Sequence, residues 1–413
     1  MLTLIIPDVI LLTAKNFRHM KMKPFDSRLD NTLVQGGRPR GYNGRQVNMP
    51  VELGSTMVFD SLAAFEEARD NRYCHGTLYY GRYGNAASFE LESVLASLEQ
   101  AAGVTLTSSG VAAISQTLLA LTEPGAHLLV ADNVYGNTRS FCDNVLVRLG
   151  VEIEYFDVMD PQQVAALCRA QTAAIMFEAP GSGTFEFPDI EKIASMAKEA
   201  GVPTVLDGTW ATPVFCQPLT LGVDVLVYSA SKYISGHSDC MLGIIACAGE
   251  SLHERIRKLV MAVGDKTGSQ EVYLALRGLR TLKMRMREVS AAGLEMAQWL
   301  ATQPQVERVL HPALADSPGH GNWQRSCSGA AGLFGVIFKP CSDQQVRDFV
   351  DHLKHFGIGV SWGGFESLVL PVKPVRTATR WSEHGQLVRF NIGFEDLCSL
   401  QADLKQALPL LNS

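Results

Sequence analysis

The chain reads Tyr228-Ser229-Ala230-Ser231-Lys232-Tyr233-Ile234-Ser235-Gly236-His237 directly after the apolar run Val223-Asp224-Val225-Leu226-Val227. The run predicts a buried strand, so Lys232 falls at the mouth of that strand and is partly removed from water. Desolvation favours the neutral, nucleophilic amine, which is the state that forms a Schiff base with an aldehyde cofactor. The hydroxyls of Ser229 and Ser231 suit a nearby phosphate group. The alternative is an ordinary surface lysine in a βα loop, and these surroundings argue against it.

Predicted strands and helices alternate from residue 104 to about residue 248. The strands are short, apolar and not alternating, as expected for a parallel sheet that is covered on both faces. They lie at residues 127–132, 152–157, 173–178, 203–207, 224–228 and 241–247. Amphipathic stretches at 138–149 and 189–200 each end in glycine and predict helices. The pattern predicts a doubly wound α/β domain. Its ligand sits at the carboxyl ends of the strands, where Asp207 and Lys232 fall.

The pattern changes beyond about residue 272. A long helix is predicted at residues 274–300, and its run of basic residues predicts a solvated, inter-subunit face. The basic residues are Arg277, Arg280, Lys283, Arg285 and Arg287. Shorter strands around 332–338 and 387–392 and a closing helix at 396–411 predict a smaller α+β domain. We therefore divide the chain into an N-terminal extension and arm (1–84), a large domain (85–275) and a C-terminal domain (276–413).

Composition narrows the class of protein. The 413 residues are too many for one small core and suggest two or three domains. A net charge of −6 argues against nucleic acid or an anionic membrane as the main partner, and no apolar run reaches the ~18 residues that span a bilayer. The nine cysteines are scattered without a C-x-x-C pair, which favours reduced thiols in a cytoplasmic protein and predicts no metal site.

The amino terminus does not have the pattern of a secretory signal. Residues 1–12 are apolar but are interrupted by Pro7 and Asp8. The nearest basic residues, Lys15 and Arg18, follow this stretch and do not precede it. We interpret residues 1–22 as an N-terminal extension.

The lysine segment resembles the cofactor-lysine signature of the Cys/Met-metabolism family of pyridoxal-phosphate (PLP) enzymes, which have the fold type I architecture. The resemblance extends from about Asn31 to the C-terminus, and Ser231 stands where the family usually has threonine. The positions that fit the signature are Asp224, Ser229, Ala230, Lys232, Tyr233, Ile234, Gly236 and His237. The resemblance implies PLP as the cofactor and a large, mostly parallel-sheet domain with a smaller C-terminal domain.

Two segments are candidates for holding the cofactor. Asp207 ends an apolar strand, where a buried carboxylate would keep the pyridine nitrogen protonated; alone, it could equally be a turn or helix-capping residue. The family usually has Asp-Asn-Thr here, and Gly208 replaces the asparagine, which predicts a more flexible loop. The segment Thr107-Ser108-Ser109-Gly110-Val111-Ala112-Ala113 opens a helix whose N-terminus suits phosphate. By similarity, Gly110 and Val111 supply amides to that phosphate, together with Ser229 and Ser231.

The resemblance also implies a site shared between subunits. Tyr80-Gly81-Arg82 is similar to a family Tyr-x-Arg pair that reaches into the neighbouring subunit, where Tyr80 and Arg82 contact the cofactor and Tyr80 also contacts substrate. If so, the active unit is at least a dimer, and the family is commonly tetrameric. By similarity, the Tyr135 ring stacks on the cofactor and its hydroxyl helps to take a proton from the incoming amine.

Three segments bear on the substrate and on which member of the family the chain resembles. Arg389 lies in the apolar strand 387–392, where an unpaired charge is costly; an amino-acid carboxylate is its implied partner, and a salt bridge to Glu395 or Asp396 is the alternative. Ser361 and Trp362 resemble the substrate-contacting Ser-Trp of the family's β-lyases. The stretch Glu178-Ala179-Pro180-Gly181-Ser182 is also similar to the β-lyase pattern.

These similarities imply a carbon–sulfur β-lyase that converts L-cystathionine into homocysteine, pyruvate and ammonia, with cystine or cysteine as possible further substrates. Alternatives within the family are cystathionine γ-lyase, cystathionine γ-synthase and methionine γ-lyase. A rival from another class is an S-x-x-K serine hydrolase, suggested by Ser229 to Lys232 with Lys266-Thr267-Gly268. That class expects its serine at the start of a helix, and Asp207 has no role in it.

Overall fold

The computed structural model describes residues 27–38 and 46–412; the predictions for residues 1–22 lie outside these ranges. Two sheets form the framework, and helices pack against both. The strands are β1 (Gly103–Thr107), β2 (His127–Ala131), β3 (Glu152–Phe156), β4 (Thr172–Glu178), β5 (Thr204–Asp207), β6 (Val225–Ser229), β7 (Gly243–Cys247), β8 (Val306–Leu310), β9 (Leu333–Phe338), β10 (Gly357–Ile358), β11 (Leu368–Pro371) and β12 (Gln386–Asn391).

The helices flank these strands in chain order. They are α1 (Ser27–Gln35), α2 (Leu62–Asp70), α3 (Ala86–Glu99), α4 (Gly110–Leu121), α5 (Gly136–Phe141), α6 (Gln162–Leu167), α7 (Ile190–Glu199), α8 (Thr212–Phe215), α9 (Glu250–Ala262), α10 (Ser269–Leu279), α11 (Leu282–Ala301), α12 (His320–Ser326), α13 (Asp343–His352) and α14 (Leu397–Ala407).

The larger sheet has seven strands in the order β1-β7-β6-β5-β4-β2-β3. Strands β2 to β6 pair in parallel, and most of their residues are buried, as the apolar runs predict. Strand β1, at one side of this sheet, was not among the predicted strands. The predicted strand at 241–247 is β7, which runs antiparallel to β6 and to β1. Fold type I with a mostly parallel central sheet is confirmed.

The second sheet has five strands in the order β10-β11-β12-β9-β8. Only the β10–β11 pair is parallel. A separate core covers this sheet and is rich in aromatic side chains, including Phe334, Phe338, Phe349 and Phe390. Strands β9 and β12 contain the two predicted segments; β8, β10 and β11 were not predicted, because they are short and two of them lie at an edge. The exact domain boundaries stay a prediction.

Two predicted helices are interrupted. The predicted helix at 274–300 is two helices, α10 and α11, which are separated at Arg280 and Thr281. The predicted helix at 138–149 consists of α5, a π-helical turn at Cys142–Leu146 and a 3-10 turn at Val147–Leu149. In both cases an amphipathic period continues across the break, so the hydrophobic pattern does not reveal it.

The basic run on α10 and α11 is not uniformly solvated, because Arg285 is buried. Its guanidinium donates to the carbonyl oxygens of Tyr233 at 2.6 Å, Ile234 at 3.1 Å and Gly278 at 2.8 Å. Gly236 has a φ of +72°, and a Cβ at this position would lie 1.9 Å from Arg285 Nη1. The signature glycine after Lys232 is therefore required both by backbone conformation and by space. The prediction of a solvated face was wrong for Arg285.

Asp132, directly after β2, links the seven-stranded sheet to the segment that follows β11. Its carboxylate accepts hydrogen bonds from the backbone N–H groups of Thr377 at 2.9 Å and Thr379 at 2.7 Å, and from Arg139 Nη2 at 2.6 Å. Burial alone would raise the pKa of Asp132, but these hydrogen bonds outweigh it and hold the pKa well below its usual range. These hydrogen bonds hold the segment after β11 against Asp132. Asn133 and the predicted cofactor contact Tyr135 follow Asp132 in the chain.

We expect Asp132→Asn to lower the free energy of unfolding by about 2 kcal/mol at pH 7, because an amide NH2 would face backbone donors. A folded-state pKa below the unfolded value stabilises the fold at pH above the unfolded pKa of about 4, and this contribution is lost as pH falls. Denaturant unfolding at pH 7 and below pH 4 should therefore show a difference that narrows in acid. The exposed Asp351→Asn is the control. Equal stability of the Asp132 variant and the wild type at pH 7 would contradict this assignment.

Candidate active site

Lys232 lies three residues beyond the end of β6, where Arg285 holds the following turn. Its Nζ donates to Ser361 Oγ at 2.7 Å and lies 5.4 Å from the centre of the Trp362 ring. Burial, with the positive charge of Arg389, lowers the pKa of Lys232 to about 8. A fraction of the amine is then neutral near neutral pH, which is the form that a nucleophilic lysine needs.

Asp207 ends β5, the strand next to β6 in the sheet. Thr209 donates to Asp207 Oδ1 from its backbone N–H at 2.9 Å and from its hydroxyl. Burial raises the pKa of Asp207, while the Thr209 hydrogen bonds and the positive charge of Lys232 oppose this shift. A half-buried carboxyl group that is fixed on one oxygen suits a basic ring nitrogen, which would share its proton.

Glu178 is a second buried carboxyl group at the same edge and was not among the predicted site residues. It ends β4 directly beside Asp207 in the parallel register. It accepts hydrogen bonds from the backbone N–H groups of Tyr135 at 2.6 Å and Ser182 at 3.1 Å. Burial and the neighbouring Asp207 raise the pKa of Glu178 well above its usual range. The available signal was its position at the end of a strand adjacent to the Asp207 strand.

The N-terminus of α4 forms a candidate phosphate cradle against the end of β6. A Cβ at Gly110 would lie 2.5 Å from the Cβ of Ser229, so only glycine allows this approach. Val111 follows on the first turn of α4 and is partly exposed. The Ser231 hydroxyl bonds the backbone of Leu242, accepting from its N–H at 3.0 Å. The structure therefore brings Gly110 and Ser229 together, whereas Ser231 is engaged with the chain itself.

Tyr135 stands at the start of α5 with its ring 38% exposed. Its hydroxyl oxygen accepts a hydrogen bond from Asn137 Nδ2 at 2.7 Å. Burial raises the pKa of Tyr135, as do Glu178 and Asp207, while Arg389 opposes the shift. These interactions place the phenol in the same electrostatic environment as Asp207 and Arg389. They also favour a protonated phenol at neutral pH over a phenolate.

Arg389 lies on β12 and points its guanidinium at the loop before Trp362. Its Nη2 donates to the carbonyl oxygens of Gly359 at 3.1 Å, Val360 at 2.8 Å and Ser361 at 3.1 Å. The alternative of a salt bridge to Glu395 or Asp396 is wrong. Glu395 accepts from the backbone N–H of Ser367, and Asp396 caps α14 by accepting from the Ser399 backbone N–H.

Trp362 packs against the signature aromatic residue, since its ring centre lies 5.5 Å from that of Tyr233. Ser361 contacts Lys232 through its hydroxyl and Arg389 through its carbonyl. One residue thus fixes the amine and the guanidinium relative to each other across the two layers. The Arg389 guanidinium suits the carboxylate of an α-amino acid.

Tyr80 and Arg82 make their contacts with other parts of the same chain and not with Lys232, Asp207 or Arg389. Tyr80 forms an isolated β-bridge with Thr56. Arg82 donates to the Met261 carbonyl and, at 2.9 Å, to the Tyr83 hydroxyl. The contact of Tyr80 and Arg82 with a neighbouring subunit stays a prediction.

The residues present fit PLP. A lysine with a lowered pKa, a half-buried acid on the adjacent strand, and a helix N-terminus whose glycine lets it approach Ser229 closely all lie at the carboxyl ends of the strands. Lys232 would hold the aldehyde carbon, Asp207 the ring nitrogen, and Gly110 with Ser229 the phosphate. The serine-hydrolase pattern does not fit, because Ser229 ends a strand and Thr267 of the K-T-G sequence donates to the Thr107 carbonyl.

Comparison with known proteins supports this interpretation. The family model described as Cys/Met metabolism PLP-dependent enzyme matches residues 30–409. A cystathionine beta-lyase of Bordetella avium is 41% identical over 366 residues, covering 88% of this chain and 92% of the relative. An L-alanine/L-glutamate racemase of Wolbachia pipientis is 34% identical over 400 residues, covering 93% of this chain and 98% of the relative. The structure of cystathionine gamma synthase from Xanthomonas oryzae pv. oryzae, in complex with aminoacrylate and cysteine, has a TM-score of 0.82 at 29% identity and covers 93% and 98%.

We expect Lys232→Ala to abolish covalent retention of PLP and nearly all turnover, because no other amine occupies this position. Borohydride reduction followed by mass spectrometry should add the cofactor mass to the wild type and not to the variant. Lys266→Ala is the matched control. Burial lowers the pKa of Lys266 too, but it lies beside Arg82, Met261 and Thr267. Normal turnover of Lys232→Ala, or loss of labelling in Lys266→Ala, would contradict the assignment.

We expect Arg389→Ala to raise the KM for an amino-acid substrate by at least about 10-fold, because charge-assisted hydrogen bonds contribute roughly 1.5–3 kcal/mol. Its effect on the Kd for PLP should be much smaller, since Arg389 bonds the 359–361 loop and not the cofactor cradle. Arg308→Ala, which removes a partly exposed partner of Glu383, is the control arginine. Equal losses of substrate and cofactor affinity would point to a structural role for Arg389.

Proposed function

This chain belongs to the Cys/Met metabolism PLP-dependent enzyme family, and we propose that it is a carbon–sulfur β-lyase that cleaves L-cystathionine to homocysteine, pyruvate and ammonia. One observation carries the proposal: Ser361 links Lys232 and Arg389, and Trp362 stands directly beside the amine. This Ser-Trp segment resembles the β-lyases of the family, as does the Glu178–Ser182 stretch. The Bordetella avium relative with 41% identity is named cystathionine beta-lyase.

The chemistry is divided between the cofactor and the chain. When bound, PLP supplies an electron sink for the bond that breaks at Cα. Arg389 binds the substrate carboxylate and thereby orients the Cα–H bond. Lys232, with its pKa of about 8, removes the Cα proton and later returns a proton to the departing thiolate. Ser361 keeps Nζ on the side of Arg389, and the Trp362 ring limits access of water to the amine.

Tyr135 acts most naturally as a ring partner and hydrogen-bond donor. Its raised pKa keeps the proton on the phenol at neutral pH, so acceptance of a proton from the substrate amine would first require deprotonation. Asn137 fixes the position of the hydroxyl oxygen, and Glu178 holds the Tyr135 backbone. Together they place the aromatic face at the strand ends.

Two other activities have specific support. A γ-lyase or γ-synthase uses the same carboxylate, amine and ring contacts, and the Xanthomonas oryzae structure is a γ-synthase. An amino-acid racemase needs proton transfer on both faces of Cα, which Lys232 and Tyr135 could supply, and the Wolbachia pipientis relative bears that name. Both alternatives retain Lys232, Asp207 and Arg389 in the roles described above.

The predicted assembly and location belong to the same proposal. A homodimer, and from it a homotetramer, would allow Tyr80 and Arg82 of one subunit to complete the site of another. Within residues 27–38 and 46–412, no helix has the length and apolar character needed to cross a membrane. We propose a cytoplasmic enzyme whose partners are its own subunits and a small amino-acid substrate, without nucleic acid.

Product analysis tests the proposed reaction. Purified protein with PLP and L-cystathionine should release pyruvate and homocysteine, and Lys232→Ala should release neither. Release of 2-oxobutyrate with cysteine would instead assign a γ-lyase. Rapid interconversion of L- and D-alanine without keto acid from L-cystathionine would assign a racemase.

A further inference from the structure

Residue 208, directly after Asp207, has little room for a side chain, although its backbone conformation does not call for glycine. Gly208 is not among the residues with positive φ. A Cβ at this position would lie 2.8 Å from Leu226 Cδ1, 3.0 Å from Tyr228 Cε1 and 3.4 Å from Tyr228 Cζ. The end of the Leu226 side chain and the more rigid Tyr228 ring therefore border the volume into which a side chain at position 208 would project.

Tyr228 is held in place at the far end of its ring. The side chain is 2% exposed, and its hydroxyl donates to Glu99 Oε1 at 2.6 Å. Glu99 is fully buried at the C-terminal end of α3, and burial raises its pKa to about 8. The carboxyl group is then largely protonated at neutral pH. The phenol and the acid form a neutral buried pair, which adds little charge near Asp207.

The loop that this ring supports carries the Asp207 carboxyl group. The Gly208 N–H donates to the Val227 carbonyl at 3.0 Å, and the Ser229 N–H donates to Thr209 Oγ1 at 2.9 Å. Thr209 in turn donates to Asp207. A displacement of residue 208 would consequently move both Asp207 and its hydrogen-bond donor. These hydrogen bonds fix the loop at residues 207–209, whereas Gly208 predicted a more flexible loop.

We propose that Tyr228, held by Glu99, is a positioning residue for Asp207: its ring fills the space beside Gly208 and fixes the loop 207–209 without touching cofactor or substrate. Packing from a neighbouring strand thus replaces support from a side chain within the loop. The inference rests on the proposed role of Asp207 as the acid that meets the PLP ring, and it is independent of which amino acid is cleaved.

A double-mutant cycle of Gly208→Asn and Tyr228→Val tests this dependence. Gly208→Asn alone should weaken PLP binding by about 10-fold or more, because overpacking of this tight site would displace Asp207. Tyr228→Val opens the space that the introduced asparagine side chain needs. The double variant should therefore bind PLP within about 3-fold of Tyr228→Val alone, a non-additive result that is expected only for residues in contact.

The pH dependence of the visible absorbance of bound PLP is the second measurement, because it follows the charge that Asp207 presents to the ring. We expect this profile to shift in Gly208→Asn and to return toward the wild type in the double variant. Gly201→Asn is the matched control. A Cβ at Gly201 has no atom within 4 Å, and its φ of +70° is one that asparagine tolerates.

The outcomes separate this inference from the proposed function. If Gly208→Asn fails to fold while the double variant folds and binds PLP, the inference is supported. Wild-type PLP affinity and absorbance in Gly208→Asn, or additive losses in the double variant, would overturn it while leaving the lyase proposal intact. Failure of the wild-type protein to bind PLP at all would overturn both.

Discussion

Burial of ionisable groups at one edge of the seven-stranded sheet is the constraint on which the rest of the site depends. Strands β4, β5 and β6 end at Glu178, Asp207 and Ser229, and Lys232 follows three residues later. Removal from water raises the pKa of both acids and lowers that of Lys232. The same removal from water makes the amine nucleophilic and strengthens the hold of Asp207 on a proton that it would share with a ring nitrogen. A site that was open to solvent would have neither property.

Charged groups elsewhere in the chain keep this edge in shape. Arg285 binds the backbone carbonyls of the turn after Lys232, and Asp132 binds the backbone N–H groups of the 377–379 segment. Each uses a buried charge to satisfy several backbone groups, which is the condition under which a buried charge is tolerated. The second layer is thereby fixed against the first, and with it the loop that carries Ser361 and the strand that carries Arg389.

Local patterns revealed the parts of the site that depend on one strand and the residues next to it. The apolar runs before Asp207 and Lys232 predicted two buried parallel strands, and the position of each polar residue at a strand end followed from sheet geometry. Glu178 was missed as a site residue because its role depends on strand order, which places β4 beside β5. Arg285 was misassigned because a basic residue on an amphipathic helix has the same pattern whether it faces water or a buried carbonyl group.

The amino-acid sequence by itself determined the fold class and the positions of the candidate nucleophilic lysine and its candidate acid partner at strand ends, because these depend on short-range hydrophobic patterning and on residues adjacent to it. Tertiary structure alone decided which distant groups meet. Ser361 contacts Lys232 across 129 positions, Arg389 binds the loop carbonyls and not Glu395 or Asp396, and Leu226 and Tyr228 fill the space beside Gly208. Such contacts depend on the packing of two layers and on the volume between strands, and no periodicity in the sequence encodes either.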